Sequence, residues 1–248
     1  MPKNRQRTRE SFTLIGKESQ TRETFATDGN EPRTRGSFTS TGKKPPPEDI
    51  RVVLFDLGGV LVEWKGVSAL VEMTHGAVDE EQARRYWMHS KWVRKFETGH
   101  CTPRRYADGV IADLGLPVEP DDFIREFESW DRGLLPGAAA LLGVLKKRYV
   151  VACLSNNNEL HWKKLLEEDG LASRFHHTYV SHETGLLKPD RRAFIHAIRD
   201  IGVKPQGFLF FDDNRECVRA AGKVGMHAYQ VAGVGGVKDV LDALHIVL

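Results

Sequence analysis

Three short apolar runs, each ending in residues suited to chemistry, constrain this chain more than any other feature. Arg51-Val52-Val53-Leu54-Phe55-Asp56 runs into Gly58-Gly59. Tyr149-Val150-Val151-Ala152-Cys153-Leu154 runs into Ser155-Asn156-Asn157-Asn158, and Phe208-Leu209-Phe210-Phe211 into Asp212-Asp213-Asn214. A continuous apolar run of this length, without alternation, reads as a strand buried on both faces. His177-Thr178-Tyr179-Val180 and His227-Ala228-Tyr229-Gln230-Val231 are two weaker candidates. Segments of helical period lie between them, at 137–147, 158–168, 190–201 and 215–224. Strand and helix in alternation imply a doubly wound, Rossmann-like α/β fold, with a parallel sheet covered by helices on both faces. In such a sheet, polar residues just past the strand ends converge on one crevice.

The alternation breaks once. Residues 66–132 read as helices throughout (67–74, 79–96, 103–114 and 120–130), with starts signalled by Asp79 before Glu80-Glu81 and Thr102 before Pro103. That is too long for a simple crossover. The expected organisation is an α/β core from 50–65 and 133–248, with a helical cap inserted at 66–132.

Residues 1–49 are different again. Positions 1–48 hold ten basic residues against six acidic ones, a net of +4, while the whole chain stands at +2. The basicity belongs to this segment, so composition makes no case for a globule that binds nucleic acid. Its sparse apolar content cannot offset the entropy of ordering, and the segment is expected to be a disordered tail. Thr8-Arg9-Glu10-Ser11-Phe12-Thr13 recurs as Thr21-Arg22-Glu23-Thr24-Phe25-Ala26 and Thr34-Arg35-Gly36-Ser37-Phe38-Thr39, a period of 13 residues. The copies are too short and too polar to stack as a solenoid and read as a tandem repeat. Pro45-Pro46-Pro47 marks the boundary. Cys101, Cys153 and Cys217 are scattered, with no Cys-x-x-Cys pair, which argues against a disulfide framework and suits a reducing cytoplasm. No run approaches the roughly 18 apolar residues of a membrane span, and no apolar stretch at the N-terminus suggests a secretory signal.

Four polar clusters sit at the expected strand ends: Asp56, Ser155-Asn156, Lys188 and Asp212-Asp213. Three carboxylates sharing a crevice repel and raise one another's pKa values, which a hard divalent cation such as Mg²⁺ resolves. Lys188 supplies a positive point charge, and Ser155 with nearby amides supplies donors. Together they suit phosphoryl transfer, where positioning and stabilising phosphoryl oxygens is most of the work. Each element alone has a simpler reading. An Asp after a strand often caps a turn, Ser155-Asn156 could cap the next helix, and Lys188-Pro189-Asp190 could be an exposed turn. The adjacent acids Asp212-Asp213, ending a buried strand, are electrostatically costly without a partner.

On these residues the chain resembles the haloacid dehalogenase-like (HAD) hydrolases, in particular the phosphatase-like subgroup with a helical cap after the first motif. The motifs are Phe55-Asp56-Leu57-Gly58-Gly59-Val60-Leu61, then Leu154-Ser155-Asn156, then Ser181 through Lys188-Pro189-Asp190, then Phe210-Phe211-Asp212-Asp213-Asn214. Phe96-Glu97-Thr98-Gly99 and Leu135-Pro136-Gly137 also fit. The pattern is similar to that of small sugar-phosphate phosphatases, including those acting on glucose 1-phosphate. The resemblance implies a five-stranded parallel sheet and a Mg²⁺-dependent phosphatase for a small phosphate ester. It makes Asp56 the nucleophile that becomes an aspartyl phosphate. Asp56, the Gly58 carbonyl and Asp213 would hold Mg²⁺, with Asp212 helping directly or through water. Ser155 and Asn156 would bind phosphoryl oxygens, and Lys188 would offset the charge between nucleophile and phosphate.

One departure matters. The family's phosphatases carry a second Asp two residues after the nucleophile, as general acid and base, and here that position is Gly58. General acid–base catalysis is typically worth about 10²–10⁴-fold, so Glu63, Glu97 and His100 are candidate replacements. Haloacid dehalogenases, which use the nucleophile without that Asp and without metal, are a rival reading, although their fourth motif lacks the acidic pair. A phosphate-binding protein with little turnover is a third. Trp64, in the loop after Asp56, is a candidate substrate contact, whereas Trp87, Trp92 and Trp130 read as core of the helical segment. Gly233-Val234-Gly235-Gly236 has no acid about 20 residues on, which argues against a dinucleotide site.

Overall fold

The structure, a computed structural model, describes residues 49–246. The repeat-bearing segment, with the expectation that it is disordered, lies outside the described residues. Five parallel strands form the sheet in the order β5-β4-β1-β6-β7. They are β1 (Val52–Phe55), β4 (Val150–Ser155), β5 (His177–Val180), β6 (Phe208–Asp212) and β7 (His227–Gln230). This is the doubly wound sheet that the apolar runs implied.

The central strand explains why its sequence is apolar throughout. Val53 and Phe55 point into one core, with α6 (Ala138–Leu145), α7 (Glu159–Asp169) and α11 (Gly233–Ala243). Val52 and Leu54 point into the other, with α9 (Arg191–Ile201) and α10 (Arg215–Lys223). All four are fully buried, each worth about 1.5–3 kcal/mol of apolar burial. Register then places the chemistry. Phe55 pairs with Cys153 on one side and Phe211 on the other, so Asp56 stands level with Asp212 and one step short of Ser155.

The helical insertion departs from expectation at one place. The segment read as a single helix over 79–96 is two, α2 (Glu80–His89) and α3 (Lys91–Glu97). Ser90 between them is extended, and its hydroxyl accepts a hydrogen bond from Trp92 N at 3.2 Å. Serine is a poor interior helix residue and a good cap, and here the cap wins. With α1 (Gly66–Met73), α4 (Pro103–Leu114) and α5 (Pro120–Glu128), these helices close around Phe96, Tyr106, Phe123, Phe127 and Trp130. A short antiparallel pair, β2 (Val62–Trp64) with β3 (Asp131–Leu134), ties the two ends of the insertion together. Strands of three and four residues carry too little pattern to be read from sequence. The Gly233 run, set aside as a dinucleotide loop, opens α11.

Two contacts fix the helices against the sheet layer. His161 of α7 lies 2.7 Å from the Phe127 carbonyl and stacks on the Phe127 ring at 4.3 Å. Burial pushes its pKa down to about 4, so it is a neutral hydrogen-bonding group at physiological pH. Gly99, at φ +72°, lies so close to the His182 carbonyl that a Cβ would sit 2.5 Å from the oxygen, so only glycine fits. The three cysteines are free, and among the described residues no helix is long and apolar enough to cross a membrane.

Candidate active site

The strand ends converge as the doubly wound topology requires. Lys188 is 5% exposed, and its ammonium lies 2.8 Å from Asp56 Oδ1 and 2.7 Å from Asp212 Oδ2. Burial by itself would lower the lysine's pKa, but the two carboxylates outweigh it and hold the ammonium well above its ordinary range.

The lysine is held from behind. The Asn156 side chain accepts from Lys188 N at 2.8 Å and donates to Lys188 O at 3.0 Å. Its amide therefore clamps the lysine backbone. Its neighbours are equally specialised. Asn157 N donates to Ser181 Oγ at 3.0 Å, and Asn158 Oδ1 caps α7 by accepting from Leu160 and His161 N–H groups. Ser155, buried at the end of β4, lines the cavity and has a hydroxyl with no hydrogen-bond partner among the described residues, so it is free to meet a ligand.

Asp56 is oriented as well as paired. Its Oδ1 accepts from Leu57 N at 2.7 Å and from Lys188, which leaves Oδ2 without a protein partner among the described residues. The turn beyond it is tight. Leu57 O accepts from Val60, Leu61 and Val62 N–H groups, and Gly59 takes φ +73°. A Cβ on Gly59 would lie 2.7 Å from Asp213 Oδ2, so a side chain is excluded there on two counts. Gly58 has no such constraint: a Cβ would meet only Trp64 Cβ at 3.8 Å.

Oxygens of Asp56, Asp212 and Asp213 all lie within 4.8 Å of one another. Burial and the Asp56 charge raise Asp213 to about 6, against the pull of Lys188 and Arg84. Burial likewise raises Asp212 to about 6, although Lys188 opposes it. One lysine against three carboxylates leaves an excess of negative charge in a part-buried site. An all-oxygen, strongly anionic donor set of this kind fits a hard divalent cation such as Mg²⁺.

A cavity of about 910 Å³ opens over these groups. Of the residues singled out in the sequence, Asp56, Gly58, Trp64, Glu97, Ser155, Asn156, Lys188, Asp212 and Asp213 line it. Glu63 and His100 do not: both are exposed, and the His100 ring lies 2.9 Å from Thr98 Oγ1. Three of the lining residues that the sequence reading did not single out for the site bear on it. Trp87, read as core, packs edge-on against Trp64 at 4.9 Å and forms part of the wall. Arg84 and Arg94 bring positive charge from α2 and α3. Which face of a helix looks toward the sheet depends on the break at Ser90, and no local signal gives it.

A family model for haloacid dehalogenase-like hydrolases matches residues 50–225. The chain belongs to the haloacid dehalogenase-like hydrolases. Similar proteins include the phosphatase MT3486 of Mycobacterium tuberculosis, 27% identical over 197 residues, covering 77% of this chain and 91% of that one. The sesquiterpene phosphatase astK of Aspergillus oryzae is 27% identical over 179 residues, covering 71% and 87%. Among solved structures, a magnesium complex of the HAD family enzyme BT-2542 from Bacteroides thetaiotaomicron is 25% identical with a TM-score of 0.63, covering 75% of this chain and 94% of that one. The family and fold expected from the four motifs are thus borne out. For this HAD-like hydrolase, Gly58 still leaves no carboxyl two residues after Asp56.

Proposed function

We propose that this HAD-like hydrolase is a Mg²⁺-dependent phosphatase acting on a small phosphomonoester, a sugar phosphate in the first instance. The carrying observation is the cluster of Asp56, Asp212 and Asp213 around a single buried lysine. Metal-free attack on carbon needs no such cluster, and phosphoryl transfer does. The phosphatase names of MT3486 and astK and the magnesium complex of BT-2542 support the same reading.

In this reading Asp56 Oδ2 attacks phosphorus, the ester P–O bond breaks and an aspartyl phosphate forms. Water then attacks phosphorus, releasing inorganic phosphate and restoring the Asp56 carboxylate. Asp56, the Gly58 carbonyl and Asp213 would hold Mg²⁺, with Asp212 acting directly or through water. Bound there, the ion would offset charge on the phosphoryl oxygens. Lys188 holds Asp56 in place and reduces the repulsion a phosphate meets. Ser155 Oγ and the backbone of Asn156 would donate to phosphoryl oxygens. The helices of 66–132 act as a cap over the leaving group and exclude water, with the Trp64–Trp87 pair as the wall against which its carbon skeleton packs. In this reading the enzyme acts in the cytoplasm on a free metabolite ester, with no nucleic-acid or membrane partner, a setting that its three free cysteines suit.

The test is phosphate release from a panel of sugar phosphates and other metabolite esters, with Mg²⁺ or with chelator, and chloride release from 2-chloropropionate in parallel. Mg²⁺-dependent phosphate release without chloride release is expected. Chloride release that survives chelation would replace this reading with the dehalogenase one.

A further inference from the structure

A phosphatase that lacks the usual second Asp must protonate its leaving group in another way, and of the three candidates the sequence offers only one lines the cavity. Glu63 and His100 lie outside the cavity, whereas Glu97 lines it and is only 9% exposed. Burying a carboxyl without full pairing is costly, so its placement needs a cause.

The cause lies in Phe96-Glu97-Thr98-Gly99. Phe96 stacks on Tyr106 at 4.5 Å and anchors α3 in the helical core. Thr98 Oγ1 donates to Arg94 O at 2.7 Å and ends the helix. Gly99 presses against the His182 carbonyl, at a distance only glycine permits, and seats the end of α3 on the sheet layer. With its neighbours fixed on both sides, Glu97 has its carboxyl held in the cavity. The groups that face it are Asp56 and Lys188 from the strand-end loops, and Trp87 and Tyr106 from α2 and α4.

We propose that Glu97 is the general acid and base of this enzyme, doing from the helical insertion what an Asp at position 58 does in related phosphatases; this rests on the phosphatase reading above. As Asp56 Oδ2 bonds to phosphorus and the P–O bond to the leaving group breaks, the Glu97 carboxyl passes its proton to the departing oxygen, which leaves as an alcohol. The Glu97 carboxylate then takes a proton from the water that attacks the aspartyl phosphate, and both residues return to their starting states. Burial, and secondarily the Asp56 charge, favour the neutral form of the Glu97 carboxyl. Bound Mg²⁺ and a phosphate dianion add charges of opposite sign, so their effects on this group oppose each other.

Glu97→Gln keeps the shape and removes the proton. In the Mg²⁺-loaded enzyme it should lower kcat/KM for poor leaving groups, such as glucose 6-phosphate, by about 10²-fold or more. For p-nitrophenyl phosphate, whose leaving group needs no acid, the loss should stay within about threefold. The melting temperature should match wild type. Gly58→Asp added to Glu97→Gln should recover about tenfold or more on glucose 6-phosphate, because a Cβ at 58 is accommodated, with Trp64 Cβ its nearest neighbour at 3.8 Å. A variant that loses the same factor on both esters, or loses nothing, would overturn the assignment, since the ratio alone separates proton transfer from packing. If wild type releases phosphate from neither ester, the phosphatase reading itself has failed, and Glu97's role falls with it.

Discussion

Asp56→Asn removes turnover by at least about 10³-fold, equivalent to about 4 kcal/mol of barrier, and leaves the protein folded. The amide is nearly isosteric and its carbonyl can still accept from Leu57 N, the contact that orients the side chain at 2.7 Å. It cannot form the acyl phosphate. Stability should hold or rise slightly in the absence of metal, because the substitution removes one of three mutually repelling carboxylates while Asp212 keeps its 2.7 Å contact with Lys188. Steady-state phosphate release and a melting curve, measured on the same preparation, check both halves. Retention of more than about a tenth of wild-type activity, a barrier change under 1.4 kcal/mol, would mean that Asp56 is not the nucleophile.

Lys188→Met has the largest expected effect on stability. It takes the cation from between two carboxylates, of which Asp212 is fully buried, and puts an apolar chain of similar length in its place. Stripping one partner from a buried ion pair typically costs about 3–5 kcal/mol. In a domain of this size that lowers the melting temperature by on the order of 10 °C. The measurement belongs in chelator, where no metal compensates. Adding Asp212→Asn should return part of the loss, because the uncompensated buried charge is then gone, although activity should stay low. A single variant that melts like wild type would show that Lys188 is not the electrostatic keystone its contacts describe.

The sheet was legible because its signal is local and redundant. Val52–Phe55 is apolar at every position because every position is buried, and the register follows once the strands are known. Asp212-Asp213 was legible because adjacent acids at the end of such a strand are expensive unless something binds them. Asn156 was legible as a site residue, but its side chain proves to hold Lys188 in place. Two amides 32 positions apart meet there, and nothing local distinguishes that from a ligand contact. Glu97 shows the limit most clearly. Its sequence setting is an ordinary charged helix end. Its burial comes from Ser90 breaking the helix before it and from Gly99 docking the turn after it. Trp87 packs on the helical core as its sequence suggests, but that it also walls the cavity was not legible, because the orientation of a short helix is a tertiary property.

The central claim is that a phosphate ester is cleaved through Asp56, and the most direct measurement is the mass of the peptide that carries it. Wild type mixed with p-nitrophenyl phosphate and Mg²⁺, quenched in acid within one turnover and digested, should yield the Asp56 peptide heavier by one phosphoryl group. The adduct should be absent in chelator and in Asp56→Asn. A turning-over enzyme with that peptide unmodified at every quench time, or with the phosphoryl group on another residue, would contradict the account.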